Sequence, residues 1–306
     1  MVIQADAWAA PGQASIRIGV YRRRVDDIVV AAGGFEFRAL VDGPEGARPV
    51  VLLHGFPQSS WEWRAQLAAL GAAGYRAFAP DQRGYSPGAR PEGVDAYGID
   101  HLVADVLALC DGIGAGPVDL VGHDWGAIVA WVVAARHPER LRTLTVVSVP
   151  HPEAFADAYA SPASKQREMS SYIDVFRAEG GAGERMLAGD DGGGIQRLFE
   201  AVGLSPEAAA EHAAVHAGPG ALTAALNWYR ATHPTLMRGI PPVSVPTLFV
   251  WGTEDPAISR EAADGCGRYV TGPFRYEVLD GVDHWIPELE ADRLNEMLLD
   301  HLGAHR

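Results

Sequence analysis

The sequence predicts an α/β protein whose mostly parallel sheet is flanked by helices and interrupted by a helical insertion. Two observations carry this prediction. Short apolar runs alternate with helical patterns over most of the 306 residues, and one long stretch has helical patterns without a convincing strand. Alternating strands and helices are typical of parallel sheets, because the crossover connections place helices on both sheet faces.

Eight apolar runs have the length and composition of strands. The first two flank Gly33-Gly34, a pair that favours a hairpin turn. The predicted strands cover residues 28–31, 35–41, 50–53, 76–79, 118–121, 144–149, 248–251 and 276–279. Helical patterns lie between the later strands, and one of them places the apolar residues of 102–110 on a single face. A last helix is predicted over residues 287–302, with Pro287 in its first turn.

Residues 151–243 break the alternation. This stretch contains helical patterns and Gly-rich turns, and Pro241, Pro242 and Pro246 mark the return to the sheet. Because it lies between two predicted strands, we interpret it as an insertion. The predicted organisation is a core formed by residues 1–150 and 244–306, with residues 151–243 as a helical cap over the strand ends.

Charge and cysteine content narrow the class of protein. The formal net charge of -14 argues against nucleic acids and anionic membranes as partners, because clustered Lys and Arg bind both. The only cysteines are Cys110 and Cys266, which we interpret as buried thiols in a reducing compartment. Residues 1–13 lack a signal-peptide pattern, and no run approaches the roughly 20 apolar residues of a membrane helix. We expect a cytoplasmic enzyme and leave its oligomeric state open.

A glycine-flanked turn follows the predicted strand 118–121 and precedes a helical pattern. It reads Gly122-His123-Asp124-Trp125-Gly126, the arrangement of a strand–turn–helix nucleophile elbow with aspartate at the nucleophile position. Small neighbours let strand and helix approach, and N–H groups at the helix start favour a negative charge. An acidic helix cap is the alternative interpretation of these five residues alone. The sequence context favours Asp124 as a nucleophile.

The context begins at the first predicted parallel strand, which runs into His54-Gly55-Phe56-Pro57. In this type of elbow fold, that position supplies one backbone N–H of an oxyanion hole, and the residue after the nucleophile supplies the other. The predicted donors are therefore the backbone N–H groups of Phe56 and Trp125. His54 is expected to stabilise the turn.

The acid and the base of such a site follow the nucleophile in the chain, in that order. Asp255 comes just after the predicted strand 248–251, and His284 comes just after the predicted strand 276–279. Both positions lie beyond strand C-termini, where ligands gather in open α/β sheets. We predict Asp255 as the orienting acid and His284 as the base, with Glu254 and Asp283 as the adjacent alternatives for the acid.

Taken together, these motifs resemble the α/β-hydrolase superfamily, specifically its epoxide hydrolase branch. The resemblance extends over about residues 50–299. It rests on His54-Gly55-Phe56-Pro57, Trp61-Glu62-Trp63-Arg64, Asp81-Gln82-Arg83-Gly84-Tyr85 and Gly122-His123-Asp124-Trp125-Gly126. The resemblance implies an α/β-hydrolase fold with an inserted helical cap, and conversion of an epoxide to a vicinal diol through a covalent aspartyl ester.

An aspartate nucleophile suits that reaction. With a reference pKa of about 3.9, Asp124 is ionised at neutral pH and can attack an sp³ carbon without a base. His284 would then activate the water that attacks the ester carbonyl, and the oxyanion hole would stabilise the intermediate. The same logic fits two substrate classes, epoxides and alkyl halides.

Two segments of the predicted cap favour the epoxide. Ser171-Tyr172-Ile173-Asp174-Val175-Phe176 and Asn227-Trp228-Tyr229-Arg230 resemble the segments in which epoxide hydrolases carry paired ring-opening tyrosines. The resemblance implies that Tyr172 and Tyr229 donate hydrogen bonds to the epoxide oxygen, whereas packing alone is the alternative role. The chain departs from the family after Phe176, where Gln and then Pro-Gly are usual and Arg177-Ala178-Glu179-Gly180-Gly181 stands instead.

Apolar aromatic residues predict the character of the substrate pocket. The candidate pocket residues are Phe56, Trp125, Phe155, Trp228 and Trp285. They imply a lipophilic epoxide as the small-molecule substrate, with water as the second reactant and the size of the epoxide left open. No His or Cys cluster has metal-ligand spacing, so neither a metal nor a cofactor is expected.

Other functions remain as alternatives. A haloalkane or haloacid dehalogenase would use the same aspartate with the Trp125 indole as a halide donor, but a phenyl ring at Phe56 cannot supply the second donor. A fluoroacetate dehalogenase would need cationic groups, for which Arg64 and Arg83 are the unconvincing candidates. An alternative of another class is a non-catalytic small-molecule binding protein on the same fold.

Overall fold

The computed structural model describes residues 25–114 and 116–305. The expectation about a signal peptide at residues 1–13 therefore lies outside the described residues. The sheet strands are β1 (Asp26–Ala32), β2 (Phe35–Asp42), β3 (Pro49–Leu53), β4 (Arg76–Pro80), β5 (Val118–His123), β6 (Leu141–Val147), β7 (Thr247–Gly252) and β8 (Phe274–Leu279).

These eight strands form one sheet in the order β1-β2-β4-β3-β5-β6-β7-β8. Strand β2 pairs antiparallel with β1 and with β4, whereas every other neighbouring pair is parallel. The hairpin predicted around Gly33-Gly34 is present, since Ala32 pairs with Phe35. The predicted α/β class with a mostly parallel sheet is confirmed.

The helices cover both faces of this sheet. They are α1 (Arg64–Ala72), α2 (Ile99–Gly112), α3 (Trp125–Arg136), α4 (Pro152–Ala160), α5 (Gln166–Met169), α6 (Tyr172–Arg177), α7 (Ala182–Ala188), α8 (Gly194–Ala201), α9 (Pro206–Ala214), α10 (Ala221–Ala231), α11 (Arg260–Asp264), α12 (Ile286–Leu289) and α13 (Ala291–Ala304). Neighbouring side chains on β3 point to opposite faces, so Leu52 packs with leucines of α1 and α13 while Leu53 packs with α2 and α3.

Seven of these helices, α4 to α10, lie between β6 and β7, within the segment predicted to be helical. We refer to residues 151–243 as the helical segment. Helix α3 is buried from Trp125 to Ala134, and its apolar residues share one core with Ile173, Phe176 and Tyr229 of the helical segment. An α-helix that is apolar on all sides is expected where a sheet and a second layer enclose it.

Two predicted elements differ from the structure. The last helix is two helices, because the backbone of Glu290 leaves the helical region at φ −121° and ψ 33°. This break lets Glu288 of α12 point inward while α13 packs its leucines on α1. The strand predicted over 144–149 is β6, which ends earlier because Ser148 has a φ of 67°.

Both cysteines agree with the sequence interpretation, since Cys110 and Cys266 are buried free thiols. Across residues 25–114 and 116–305, no helix combines the length and apolar character that crossing a bilayer requires.

The turn from β5 into α3 depends on close backbone packing. A Cβ on Gly122 would lie 2.4 Å from the Gly126 carbonyl oxygen, and a Cβ on Gly126 would lie 2.0 Å from the Leu53 carbonyl oxygen. Glycines at both positions therefore let the start of α3 rest directly on β3 and β5. This packing places the residue between them, Asp124, beyond the C-terminal end of the sheet.

We predict that Gly126→Ala destabilises the protein by about 3 kcal/mol, because the added methyl group has no space against the Leu53 carbonyl. Gly303→Ala is the matched control. A Cβ at Gly303 meets no atom within 4 Å, so in α13 the change should be neutral or stabilise by up to about 1 kcal/mol. Urea titration followed by circular dichroism measures both. Equal stability of the two variants would contradict the packing described for the turn.

Candidate active site

Asp124 stands between β5 and α3 in a strained conformation, with φ 50° and ψ −117°. Such a backbone costs roughly 1–3 kcal/mol in a residue other than glycine. Gly55 lies directly against it, since a Cβ on Gly55 would come within 2.4 Å of the Asp124 Cβ. The absence of a side chain at Gly55 lets the loop approach, and Phe56 donates its backbone N–H to Asp124 Oδ1 at 2.8 Å.

His284 faces Asp124 from the turn after β8. Its Nε2 lies 3.6 Å from Asp124 Oδ2, and its Nδ1 bonds to Asp255 Oδ2 at 2.8 Å. The other oxygen of Asp255 accepts the backbone N–H groups of Ala257 and Ile258, at 2.8 and 3.0 Å. Three donors therefore hold this buried carboxylate, and it orients the imidazole with Nε2 toward Asp124.

The two neighbouring carboxylates have other surroundings. Glu254 is exposed, and Asp283 Oδ1 accepts the backbone N–H of His284 at 2.5 Å. The ring of His284 is therefore oriented by Asp255, while Asp283 holds the backbone of the same turn.

Asp124 and His284 form a buried ion pair. Burial alone would raise the pKa of Asp124, but the hydrogen bond and positive charge of His284 outweigh it and hold that pKa below the ordinary value. Burial alone would lower the pKa of His284, but the charges of Asp255 and Asp124 raise it well above the usual range. These shifts favour an ionised Asp124 carboxylate and a protonated His284 imidazole at neutral pH.

A cavity of about 300 Å³ opens above this pair. Its polar side chains are those of Asp124, His284, Tyr172 and Tyr229. The rest of its lining consists of apolar side chains and backbone atoms, from Phe56, Pro57, Phe176, Met186, Leu187, Gly194, Leu198, Pro256, Ala257 and Trp285. Met186 and Leu198 are 58% and 38% exposed, so the cavity reaches the surface between α7 and α8. The four polar side chains thus stand in a passage whose other walls are apolar.

The two tyrosines reach this cavity from different helices, Tyr172 from α6 and Tyr229 from α10. Their ring centroids lie 6.4 Å apart, and Phe176 packs against both rings, with its centroid 5.3 Å from Tyr172 and 5.1 Å from Tyr229. Burial and the charge of Asp124 are among the causes that raise the pKa of each phenol. Both hydroxyls therefore stay protonated at neutral pH and remain hydrogen-bond donors.

Two arginines tie these helices together. Arg177, which replaces a residue usual in the family, donates to the carbonyl of Tyr229 at the end of α10. Arg230 donates to the carbonyl of Phe176 at 3.2 Å and pairs with Glu184 at 2.7 Å. Each tyrosine-bearing helix therefore receives a hydrogen bond from an arginine of the other.

Some residues predicted for the pocket lie elsewhere. Phe155 and Trp228 are buried in the apolar core and are not among the residues that line the cavity. Trp228 neighbours Tyr229 on α10, so it faces about 100° away around the helix, and its indole donates to the Arg83 carbonyl at 2.9 Å. The Trp125 side chain is also outside the lining, with its ring edge-to-face on Tyr229 at 5.0 Å.

The predicted oxyanion-hole donors differ in the resting structure. The backbone N–H of Phe56 reaches Asp124 Oδ1, whereas within residues 25–114 and 116–305 no hydrogen bond from the Trp125 N–H to that carboxylate is present. His54 has the turn-stabilising contacts expected of it. Its Nε2 accepts the Gln82 backbone N–H at 3.0 Å, and burial lowers the pKa of His54 to about 4, so this ring is neutral.

Sequence patterns missed several residues of the site. Met186, Leu187 and Leu198 line the mouth, and only the amphipathic pattern of α8 offered a signal for one of them. Glu62 and His123 lie behind His284. The sequence shows them only as members of the motifs at residues 61–64 and 122–126. Their contacts join distant loops, which spacing along the chain cannot reveal.

Comparisons with known proteins agree with this geometry. The α/β hydrolase fold family matches residues 48–291. Epoxide hydrolase A of Mycobacterium tuberculosis is 33% identical over 90% of this chain and 96% of its own length. The crystal structure of a Bacillus megaterium epoxide hydrolase in complex with an inhibitor has a TM-score of 0.82 and 25% identity, covering 90% of this chain and 100% of that one.

A further solved structure, described as one of the novel epoxide hydrolases of the superfamily in metagenomes from hot environments, has a TM-score of 0.80 and 28% identity. That match covers 92% of this chain and 99% of the other. Because these matches extend over nearly the whole described fold, the chain belongs to the α/β-hydrolase superfamily and, within it, to the epoxide hydrolase branch.

Proposed function

We propose that this protein hydrolyses lipophilic epoxides to vicinal diols through a covalent ester on Asp124. The observation that carries the proposal is the composition of the cavity. An ionised carboxylate, a protonated imidazole and two neutral phenols share one end of it, and the walls are otherwise apolar. Family membership supports the same reaction.

In the first half-reaction, Asp124 Oδ2 attacks an epoxide carbon and the ring C–O bond breaks. The oxygen that leaves carbon becomes an alkoxide, and Tyr172 and Tyr229 stabilise it by donating hydrogen bonds. The His284 imidazolium supplies the proton that this oxygen finally carries, so the step is balanced. The products are a hydroxyalkyl ester and a neutral imidazole.

Loss of the Asp124 charge prepares the second half-reaction. That charge is one cause of the raised pKa of His284 and of both tyrosines. Once Asp124 is esterified, this cause disappears, so the phenols become stronger donors as the alkoxide forms. The imidazole likewise becomes stable in its neutral form, which is the form that a general base requires.

In the second half-reaction, His284 takes a proton from water and the resulting hydroxide attacks the carboxyl carbon of Asp124. The developing oxyanion on Oδ1 is already within 2.8 Å of the Phe56 N–H, and we propose the Trp125 N–H as the second donor. Collapse expels the ester oxygen, which takes the proton of the His284 imidazolium and completes the diol. The proton of the Asp124 carboxylic acid then passes to the imidazole and restores carboxylate and imidazolium.

We also propose that the helical segment, residues 151–243, acts as a cap on the core formed by residues 1–150 and 244–306. It supplies both tyrosines and most of the mouth. It is docked by buried polar contacts: His212 Nε2 bonds to Glu288 at 2.8 Å, and His216 Nε2 bonds to the Pro57 carbonyl at 2.7 Å. Such contacts hold the cap against the loop that follows β3.

The alternative functions fit the cavity less well. A dehalogenase needs halide donors, but the indole of Trp125 is outside the lining and Phe56 offers a phenyl ring. A haloacid needs a cation, but Arg64 pairs with Glu288 and Arg83 pairs with Asp105 at 2.6 Å. A non-catalytic binding protein has no need for an ionised carboxylate in the cavity, because burying it costs free energy.

The proposed function predicts the outcome of a product assay. Purified protein is incubated with aryl and alkyl epoxides, and separately with alkyl chlorides and fluoroacetate, and products are identified by mass spectrometry. We expect diols from the apolar epoxides and no halide release. Asp124→Ala is the control for background hydration and should form no diol. Halide release with no diol would make dehalogenation the function.

The first residue-level prediction separates the half-reactions. His284→Gln should still form the ester, more slowly, because the charge and proton of the imidazolium are lost and the alkoxide must take its proton from solvent. Hydrolysis should then stall without the base. Intact-protein mass spectrometry should therefore show the protein plus one substrate mass. His301→Gln is the matched control, since this buried histidine of α13 lies outside the cavity. Free turnover by His284→Gln would contradict its role as base.

The second prediction concerns the tyrosines. Tyr172→Phe and Tyr229→Phe keep the ring but remove the donor, so each should slow ester formation by about 10²-fold or more, with stability nearly unchanged. The double variant should lose far more, since both would serve one oxygen. Tyr159→Phe provides the control, because Tyr159 is in α4 and outside the lining. Stopped-flow tryptophan fluorescence measures ester formation. Unchanged rates in the double variant would exclude ring opening by this pair.

A further inference from the structure

Behind His284 lies a buried polar chain that the reaction described above does not use. Glu62, in the short turn Ser60–Trp63, places Oε2 3.2 Å from His123 Nδ1. His123 Nε2 in turn lies 3.1 Å from the backbone carbonyl oxygen of His284. Ser148 donates its hydroxyl to the same carbonyl at 2.8 Å. All four residues are buried.

Hydrogen-bond chemistry fixes which atoms carry protons. A carbonyl oxygen only accepts, so His123 must donate from Nε2. A neutral imidazole protonated on Nε2 has an acceptor at Nδ1, so the partner there must be a donor, which for Glu62 means the protonated acid. Burial lowers the pKa of His123 to about 3. Burial and the charge of Glu288 raise the pKa of Glu62 well above its ordinary value. The pair is therefore neutral.

We propose that Glu62 and His123 are positioning residues: the protonated Glu62 holds His123 in the tautomer that anchors the backbone carbonyl of His284. This inference rests on the proposed function. The same carbonyl also accepts the Ser148 hydroxyl and, at 2.9 Å, the backbone N–H of Ile286, and the two side-chain donors fix it relative to β5 and β6. The anchor keeps the imidazole in place when Asp124 becomes an ester and its ion pair with His284 is lost.

The consequence is specific to one half-reaction. During ring opening, the charge of Asp124 itself holds the imidazolium, so the anchor adds little. During ester hydrolysis, only Asp255 and the backbone orient the ring, so the anchor matters most. The Glu62–His123 pair lies beside His284, since the ring centroids of His123 and His284 are 4.9 Å apart. Because the pair is neutral, it adds no positive charge that would oppose protonation of the His284 imidazole.

The test compares three variants by single-turnover kinetics, with ester formation and ester hydrolysis measured separately by quench-flow and intact-protein mass spectrometry. Glu62→Leu removes the donor and should slow ester hydrolysis by about tenfold, the effect of one lost hydrogen bond, with ester formation within about twofold. Glu62→Gln restores a donor through its amide N–H and should hydrolyse the ester at close to the wild-type rate. Gln66→Leu is the control, because this equally buried side chain donates to the Pro287 carbonyl and not to the Glu62–His123 chain.

The Glu62→Gln variant also distinguishes a neutral Glu62–His123 pair from a charged one. If Glu62 were ionised and His123 cationic, the amide could not replace the carboxylate, and Glu62→Gln would slow ester hydrolysis as much as Glu62→Leu does. That result would overturn the proposal, as would hydrolysis at the wild-type rate in a folded Glu62→Leu.

Ser148→Ala gives a second route should Glu62→Leu not fold, because it removes the other side-chain donor to the His284 carbonyl. It should slow ester hydrolysis selectively, by several-fold, and an unaffected hydrolysis rate would overturn the anchor. Failure of the proposed function is distinguishable from failure of this inference. In the first case the wild-type protein forms no ester from any epoxide, whereas in the second it does and the variants match it.

Discussion

The structure depends on keeping one carboxylate ionised inside an apolar cavity. A buried charge is stable only if it is paired and hydrogen-bonded, and Asp124 obtains both from loops that follow different strands. The Phe56 N–H comes from the loop after β3 and the His284 imidazolium from the loop after β8. A parallel sheet brings these loops to one edge, and glycines let them touch. The strained φ of Asp124 is tolerated because this packing determines it.

The same ion pair explains why few polar groups suffice in the cavity. While Asp124 is charged, it acts with Asp255 to raise the pKa of His284, and it adds to the effect of burial in raising the pKa of the Tyr172 and Tyr229 phenols. When the ester forms, Asp124 loses its charge. The phenols then become stronger hydrogen-bond donors, and His284 becomes stable as the neutral base that ester hydrolysis requires. The apolar walls strengthen this coupling, because charges interact more strongly away from water. An apolar substrate maintains that environment and is therefore the class that the cavity suits.

Local motifs allowed much of this to be predicted from the sequence. The elbow around Asp124 and the strand ends before Asp255 and His284 are short-range patterns, and parallel-sheet topology brings them together. Side-chain direction within the helical segment was harder to predict. Trp228 and Tyr229 are adjacent, yet helix rotation sends one to the core and the other to the cavity. The mouth at Met186 and the Glu62–His123 contact depend on packing between distant segments, for which spacing along the chain gives no signal.

The central claim is that Asp124 forms an ester whose carboxyl carbon is attacked by water, and isotope labelling tests it most directly. Excess enzyme is run for a single turnover with an aryl epoxide in H₂¹⁸O, digested, and the peptide carrying Asp124 is analysed by mass spectrometry. Because the oxygen delivered to the diol comes from the carboxylate, the account predicts one ¹⁸O in Asp124 and unlabelled diol. Label found only in the diol, with Asp124 unlabelled, would contradict the covalent mechanism and indicate direct attack of water on the epoxide.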